Sequence, residues 1–179
     1  MSDSFVPNDV CIFAPPDPQF AVDLIEGWTC AFPANVNVKA GPIPLYNDPR
    51  ALWALEKITP LKSQLGGVSG MNVLELGPLE GSHTYFLEKG GAVVPAIEAN
   101  KRLFMRCLIA KEVLGLSRAR FLLGDFMPWL KDTKKRFDLV WCTGVLYHMP
   151  NPLELLHAIS LHGTHPVKAA LIGVDGSSR

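Results

Sequence analysis

From Met71 onward, short apolar runs alternate with stretches that carry helical signals, and this alternation constrains the fold more than any other feature of the chain. The spacing predicts strands at Asn72–Leu76, Ala92–Ile97, Arg120–Leu123, Phe137–Cys142 and Ala169–Val174. Between them it predicts helices from Gly81 to about Lys89, from Lys101 to Leu114, around Met127–Leu130 and over Pro152–Leu161. Gly90-Gly91 and Gly115 supply the stops, because glycine readily adopts the backbone that closes a helix. Strands separated by helices form βαβ units with right-handed crossovers rather than hairpins. The expected fold class is therefore α/β, with a mostly parallel sheet covered by helices on both faces.

The first third of the chain has a different texture. Residues 1–65 hold nine of the fifteen prolines and show little sustained periodicity. Proline fixes φ and removes an amide donor, so this stretch is expected to be extended or turning, broken by short helices. Asp48 as N-cap and Pro49 at the first position mark one helix, running through Arg50-Ala51-Leu52-Trp53-Ala54-Leu55, and a shorter one spans Gln19 to Glu26. Gly66-Gly67-Val68-Ser69-Gly70 reads as a join. The expected division is an N-terminal cap or lid over 1–65 and a ligand-binding core over 66–179. Trp28, Phe32, Tyr46 and Trp53 fit either packing on the sheet or lining a lid, with packing the default for large aromatics.

Composition narrows the function. With 48% apolar residues and 19% charged ones, the chain can bury a core. Seventeen basic residues balance seventeen acidic ones, which gives no general cationic face for nucleic acid. No apolar run approaches the ~20 residues that span a bilayer, and the N-terminus lacks the pattern of a secretory signal. Cys11, Cys30, Cys107 and Cys142 have no CxxC spacing, so reduced thiols in a cytoplasmic protein are expected. His157, His162 and His165 match no zinc spacing, and Lys131, Lys134, Lys135 and Arg136 read as a solvated loop.

In an open parallel sheet, ligands sit beyond the carboxyl ends of the strands. The informative residues fall at those ends. Glu75, Gly77, Pro78 and Gly81 surround the first turn, where glycine allows close approach of a ligand to the backbone. Such a turn also occurs purely for packing. Glu98, with Ala99 beside it, ends the second strand, where a carboxylate can accept from both ribose hydroxyls or can cap the next helix. Asp125 and Phe126 follow the third strand and suit an adenine amine and ring, or equally an N-cap and a core aromatic. Thr143 and Gly144 close the fourth strand and lead to Tyr147 and His148, the candidates to face a substrate. His148 fits a general base, or a structural histidine that holds the loop.

Taken in order, Glu75-Leu76-Gly77, Glu98, Gly124-Asp125-Phe126, Phe137-Asp138-Leu139-Val140 and Gly144-Val145-Leu146-Tyr147-His148 resemble the class I S-adenosylmethionine (SAM)-dependent methyltransferase family. The resemblance covers about residues 71–174. It implies a Rossmann-like three-layer sandwich with S-adenosyl-L-methionine as cofactor. It also implies a binding turn at Glu75–Gly81, ribose contact by Glu98 and adenine contact by Asp125. The Gly-Val-Leu-Tyr-His stretch is similar to the branch that includes tRNA wobble-uridine-modifying enzymes using SAM and carboxy-SAM.

Two departures stand out. The family's turn often carries glycine where this chain has Leu79, and Pro78 stiffens it. Family members also continue past the fifth strand with a helix and an antiparallel hairpin, whereas only Gly173–Arg179 remain here. The expectation is a shortened core lacking that hairpin, or a homo-oligomer that covers the apolar edge Ala169-Ala170-Leu171-Ile172. The expected reaction is transfer of a methyl group to an unidentified acceptor, a small molecule first, with a protein or an RNA base as alternatives and the charge balance telling against RNA alone. Two rivals are a non-catalytic SAM-binding or assembly module and an NAD-dependent dehydrogenase. The dehydrogenase is disfavoured by the missing GxGxxG spacing.

Overall fold

The computed structural model describes residues 11–49, 51 and 68–163. Its core is a four-stranded parallel sheet in the order β3-β2-β1-β4, with β1 Val73–Leu76, β2 Val94–Glu98, β3 Ala119–Leu123 and β4 Leu139–Cys142. Helix α1 (Pro18–Asp23) lies in the N-terminal segment. Helices α2 (Ser82–Lys89), α3 (Lys101–Leu114), α4 (Phe126–Asp132) and α5 (Pro152–Ser160) follow the four strands in turn.

Alternation along the strands builds the three layers. Val73, Val94, Leu139 and Trp141 pack with Leu87 and Phe86 of α2 on one face, while Ala96 and Phe121 meet Cys107 and Phe104 of α3. Leu74, Leu76, Ile97, Val140 and Cys142 point the other way, onto Leu130 of α4 and Leu155 and Ile159 of α5. This is the expected Rossmann-like architecture.

Local chemistry sets the helix ends. The Asn100 side chain accepts from the amides of Arg102 and Leu103, and Gly115 closes α3 at φ 63°, so α3 keeps its expected bounds. Other boundaries move. β2 starts at Val94 rather than Ala92, because the Ala92 amide closes the turn out of α2 on the Leu87 carbonyl and Val93 stands before the strand as an isolated bridge to Asn72. Phe137 stands before β4 as an isolated bridge to Gly163, its amide donating to the carbonyl of His162. The expected strand Ala169–Val174, its apolar edge and most of the helix after Pro49 lie outside the described residues.

The N-terminal segment packs as a layer of its own. Val22, Cys30, Phe32 and Tyr46 are buried with Ala110 of α3, and the Phe32 and Tyr46 rings stack at 5.7 Å. Trp28 joins this cluster, so three of the four aromatics are packed, but against α3 and the turn after β1 rather than on the sheet, and Trp53 lies outside the described residues.

Candidate functional site

Because the chain runs from β1 to β2 and β3 on one side and then to β4 on the other, the strand order reverses between β1 and β4. A crevice opens beyond the strand ends at such a point. Here it is a cavity of about 410 Å³. Gly77, Pro78 and Leu79 from the turn after β1, Glu98 from β2, Phe126 at the start of α4 and Thr143–Val145 after β4 all line it. Tyr147, His148 and Met149 close one side, in and just past a 3-10 turn at Leu146–His148. Leu45 and Asp48 reach it from the N-terminal segment.

Backbone geometry explains the turn. Gly77 has φ 65°, and a Cβ there would stand 2.8 Å from Val145 Cγ2. Its amide donates to the carbonyl of Ile97, which keeps the ends of β1 and β2 together. Leu79 also takes a left-handed conformation, φ 58°, in which side chains other than glycine are disfavoured. Packing against the N-terminal aromatic cluster compensates, since the Leu79 side chain is half-buried there. That contact is the physical reason a leucine occupies a glycine-type position.

Eight of the twelve expected site residues meet in this cavity: Gly77, Pro78, Glu98, Phe126, Thr143, Gly144, Tyr147 and His148. Glu98 is buried, and one carboxylate oxygen accepts the Asn100 amide at 2.8 Å. Burial raises its pKa, while the amides of Asn100, Leu79 and Ala99 pull the other way. The Tyr147 and His148 rings lie 4.2 Å apart and are largely exposed at the rim.

The other four are placed elsewhere. Glu75 alternates onto the α2 face of the sheet, where its carboxylate accepts from the Thr84 hydroxyl at 2.5 Å. Burial pushes the Glu75 pKa up to about 8, against the lowering effect of the Thr84 hydrogen bond. Gly81 is the N-cap of α2 and sits against the Phe121 ring. Asp125 caps α4 by accepting the Met127 amide at 2.8 Å. Ala99 is an exposed residue beside Glu98 and does not line the cavity. Cys142 is buried at the end of β4, and burial pushes its thiol up to about 12, which leaves it unionised.

Sequence reasoning missed Asp48, Ser82 and His83 as cavity residues. His83 Nδ1 lies 2.8 Å from Thr143 Oγ1, and His83 Nε2 lies 3.6 Å from Asp48 Oδ2. The only sequence signal for His83 was its place in the first turn of α2. Two of the late histidines lie among the described residues and neither lines the cavity, while His165 lies outside them. His162 is buried with its ring nitrogens on the carbonyls of Lys135 and Leu130, and His157 is exposed on α5. Among the described residues there is no cluster of three or more metal-ligating side chains, and no helix is long and apolar enough to cross a membrane.

Comparison with known proteins agrees with the fold. Residues 74–160 match the family model described as "Methyltransferase domain". The chain is 31% identical over 132 residues to a tRNA U34 carboxymethyltransferase of Idiomarina loihiensis, a match covering 68% of this chain and 39% of that protein. It thus spans well under half the length of that relative. The N-terminal domain of EvdMO1 with SAH (S-adenosylhomocysteine) bound is 25% identical, with a TM-score of 0.58 and coverage of 78% of this chain and 58% of that one. Magnesium protoporphyrin IX methyltransferase from Synechocystis PCC 6803 with bound SAH shares the fold at 19% identity and a TM-score of 0.51, covering 65% and 53%. Residues 74–160 thus form a methyltransferase domain of the class I SAM-dependent family.

Proposed function

We propose that this chain binds SAM in the cavity between β1 and β4 and transfers its methyl group to an acceptor admitted beside Tyr147 and His148. One observation carries the reading: the turn after β1, Glu98 after β2, Phe126 after β3 and the Thr143–His148 loop after β4 share a single cavity. In this reading Glu98 would accept from the ribose hydroxyls, Phe126 would pack beside the adenine, and the backbone at Gly77 and Pro78, with Thr143 and Gly144, would hold the methionine end. Glu75, Gly81, Ala99 and Asp125 support the pocket from behind or from its rim rather than from its wall. Asp125 is exposed at the start of α4, within one residue of Phe126, and adenine contact there needs only its free carboxylate oxygen.

SAM supplies an activated methyl group, so the protein's task is to align the acceptor and exclude water. Tyr147 and His148 are the groups placed to orient it. Residues 1–65 act as a cap on the core, supported by Leu45 and Asp48 in the cavity wall. The equal numbers of acidic and basic residues favour a small-molecule acceptor over a polynucleotide. A cytoplasmic location is part of the same reading and rests on the four free thiols.

The test is incubation with SAM labelled in the methyl group, against a panel of sugars, nucleotide sugars, small amines and bulk tRNA. Label should appear in a small-molecule acceptor with stoichiometric S-adenosylhomocysteine. Label in tRNA alone would replace the acceptor class, and NAD binding in place of SAM would overturn the cofactor.

A further inference from the structure

Three segments far apart in sequence bring a hydroxyl, an imidazole and a carboxylate together in the cavity wall. Thr143 Oγ1 lies 2.8 Å from His83 Nδ1, and Asp48 Oδ2 lies 3.6 Å from His83 Nε2. All three residues line the cavity. The Asp48 side chain is 4% exposed and that of His83 18%, so the pair is largely shielded from water while the imidazole still reaches the cavity. The Trp141 ring meets the His83 ring edge-on, at 5.8 Å and 77°, which fixes the imidazole plane.

The tautomer follows from the neighbours. A carboxylate facing Nε2 favours the form that carries its proton there, and the Nδ1 lone pair is then left to accept from the Thr143 hydroxyl. A hydroxyl hydrogen-bonded to an imidazole that is itself oriented by an acid is the arrangement that lets a weak hydroxyl accept and pass on a proton. The 3.6 Å separation is longer than a tight hydrogen bond, as is common in catalytic groups before substrate binds.

We propose that Thr143, His83 and Asp48 form a proton relay that removes the proton from the methyl acceptor. The inference rests on the cavity being a SAM site and deepens that reading. As the acceptor atom bonds to the methyl carbon, the bond from that carbon to the sulfonium breaks and its electron pair returns to sulfur. The acceptor's proton passes to Thr143 Oγ1 while the Thr143 proton passes to His83 Nδ1. The products are S-adenosylhomocysteine, the methylated acceptor and an imidazolium facing the Asp48 carboxylate, which later loses its proton to water. The substrate class is therefore an acceptor that carries hydrogen on the attacked atom, a hydroxyl or an amine. Among the described residues, the other ionisable groups that line the same cavity are Glu98, Tyr147 and His148, and Glu75 is held by Thr84, next to His83 in sequence.

The test uses the full chain saturated with S-adenosylhomocysteine, with 15N-labelled imidazoles read by NMR. His83 should carry its proton on Nε2, Thr143→Val should move its Nδ1 resonance, and Asp48→Asn should lower its titration midpoint by about one unit or more. Calorimetry should give His83→Gln a SAM affinity within about threefold of wild type, while its methyl-transfer rate falls by about a hundredfold. A His83 proton on Nδ1 would overturn the relay, as would an unmoved midpoint in Asp48→Asn. So would a His83→Gln variant that loses SAM affinity at unchanged turnover, which would make His83 a cofactor anchor. Failure of the wild type to bind SAM would instead remove the cofactor reading, and the NMR result would stand apart from it.

Discussion

Glu80 and Arg106 form a 2.9 Å ion pair with both side chains almost wholly removed from solvent. The pair joins more than two charges. Glu80 also accepts the amides of Thr29 and Cys30, and Arg106 donates to the carbonyl of Glu26. Glu80 belongs to the turn between β1 and α2, so this one carboxylate ties the N-terminal segment to the turn that lines the cavity. Tyr46 adds to it by donating to the Glu80 carbonyl at 3.0 Å.

Removing either charge strands the other. Arg106→Met should destabilise the fold by about 3–5 kcal/mol, the usual cost of an uncompensated buried charge. Urea unfolding followed by tryptophan fluorescence checks it. A loss below about 1 kcal/mol would mean that the pair is solvated and does not hold the segment.

Glu75 makes stability depend on pH. Burial raises its folded pKa from 4.5 to about 8, so the folded chain keeps this proton where the unfolded chain has lost it. Stability from this group is fully present below about pH 4.5, declines as pH rises, and is lost by about pH 8. Glu75→Gln should flatten that decline, which melting temperatures between pH 5 and pH 8.5 would show. Equal slopes in the two proteins would place the titration elsewhere.

Gly77 admits no side chain. Gly77→Ala must hold a left-handed backbone and a Cβ 2.8 Å from Val145 Cγ2. The expected cost is about 1–3 kcal/mol in stability, with weaker SAM binding because Val145 is part of the cavity wall. Calorimetric titration and thermal melting of the same variant measure both, and unchanged values in both would contradict the turn geometry.

His148 stands at the rim and makes no buried network. His148→Ala should reduce turnover by about tenfold or more and leave SAM affinity nearly intact. An unchanged rate would remove His148 from the reaction.

Much of the sheet was legible because its signals are local. The bounds of α3 follow from Asn100 and Gly115, and the parallel order follows from helices standing between strands. Cavity residues at strand ends, such as Gly77, Glu98 and Thr143, were legible for the same reason. Asp125 and Glu75 show the limit. Asp125 caps the helix after β3, one of the two roles its position offered, whereas alternation along the four-residue β1 points Glu75 under α2 rather than into the cavity. His83 was not legible, because its partners Asp48 and Thr143 come from segments that only the folded chain brings together. Glu80 is similar: its role depends on amides fifty residues upstream.

The central claim, that the cavity at the β1–β4 reversal is a SAM site anchored at Glu98, is tested most directly by calorimetric titration of SAM into wild type and Glu98→Ala. The account predicts one site per chain in the wild type, displaced by S-adenosylhomocysteine. It predicts a loss of about ten- to a hundredfold in affinity in the variant, the worth of hydrogen bonds to a charged group. No binding by the folded wild type, or equal affinity in the two proteins, would contradict it.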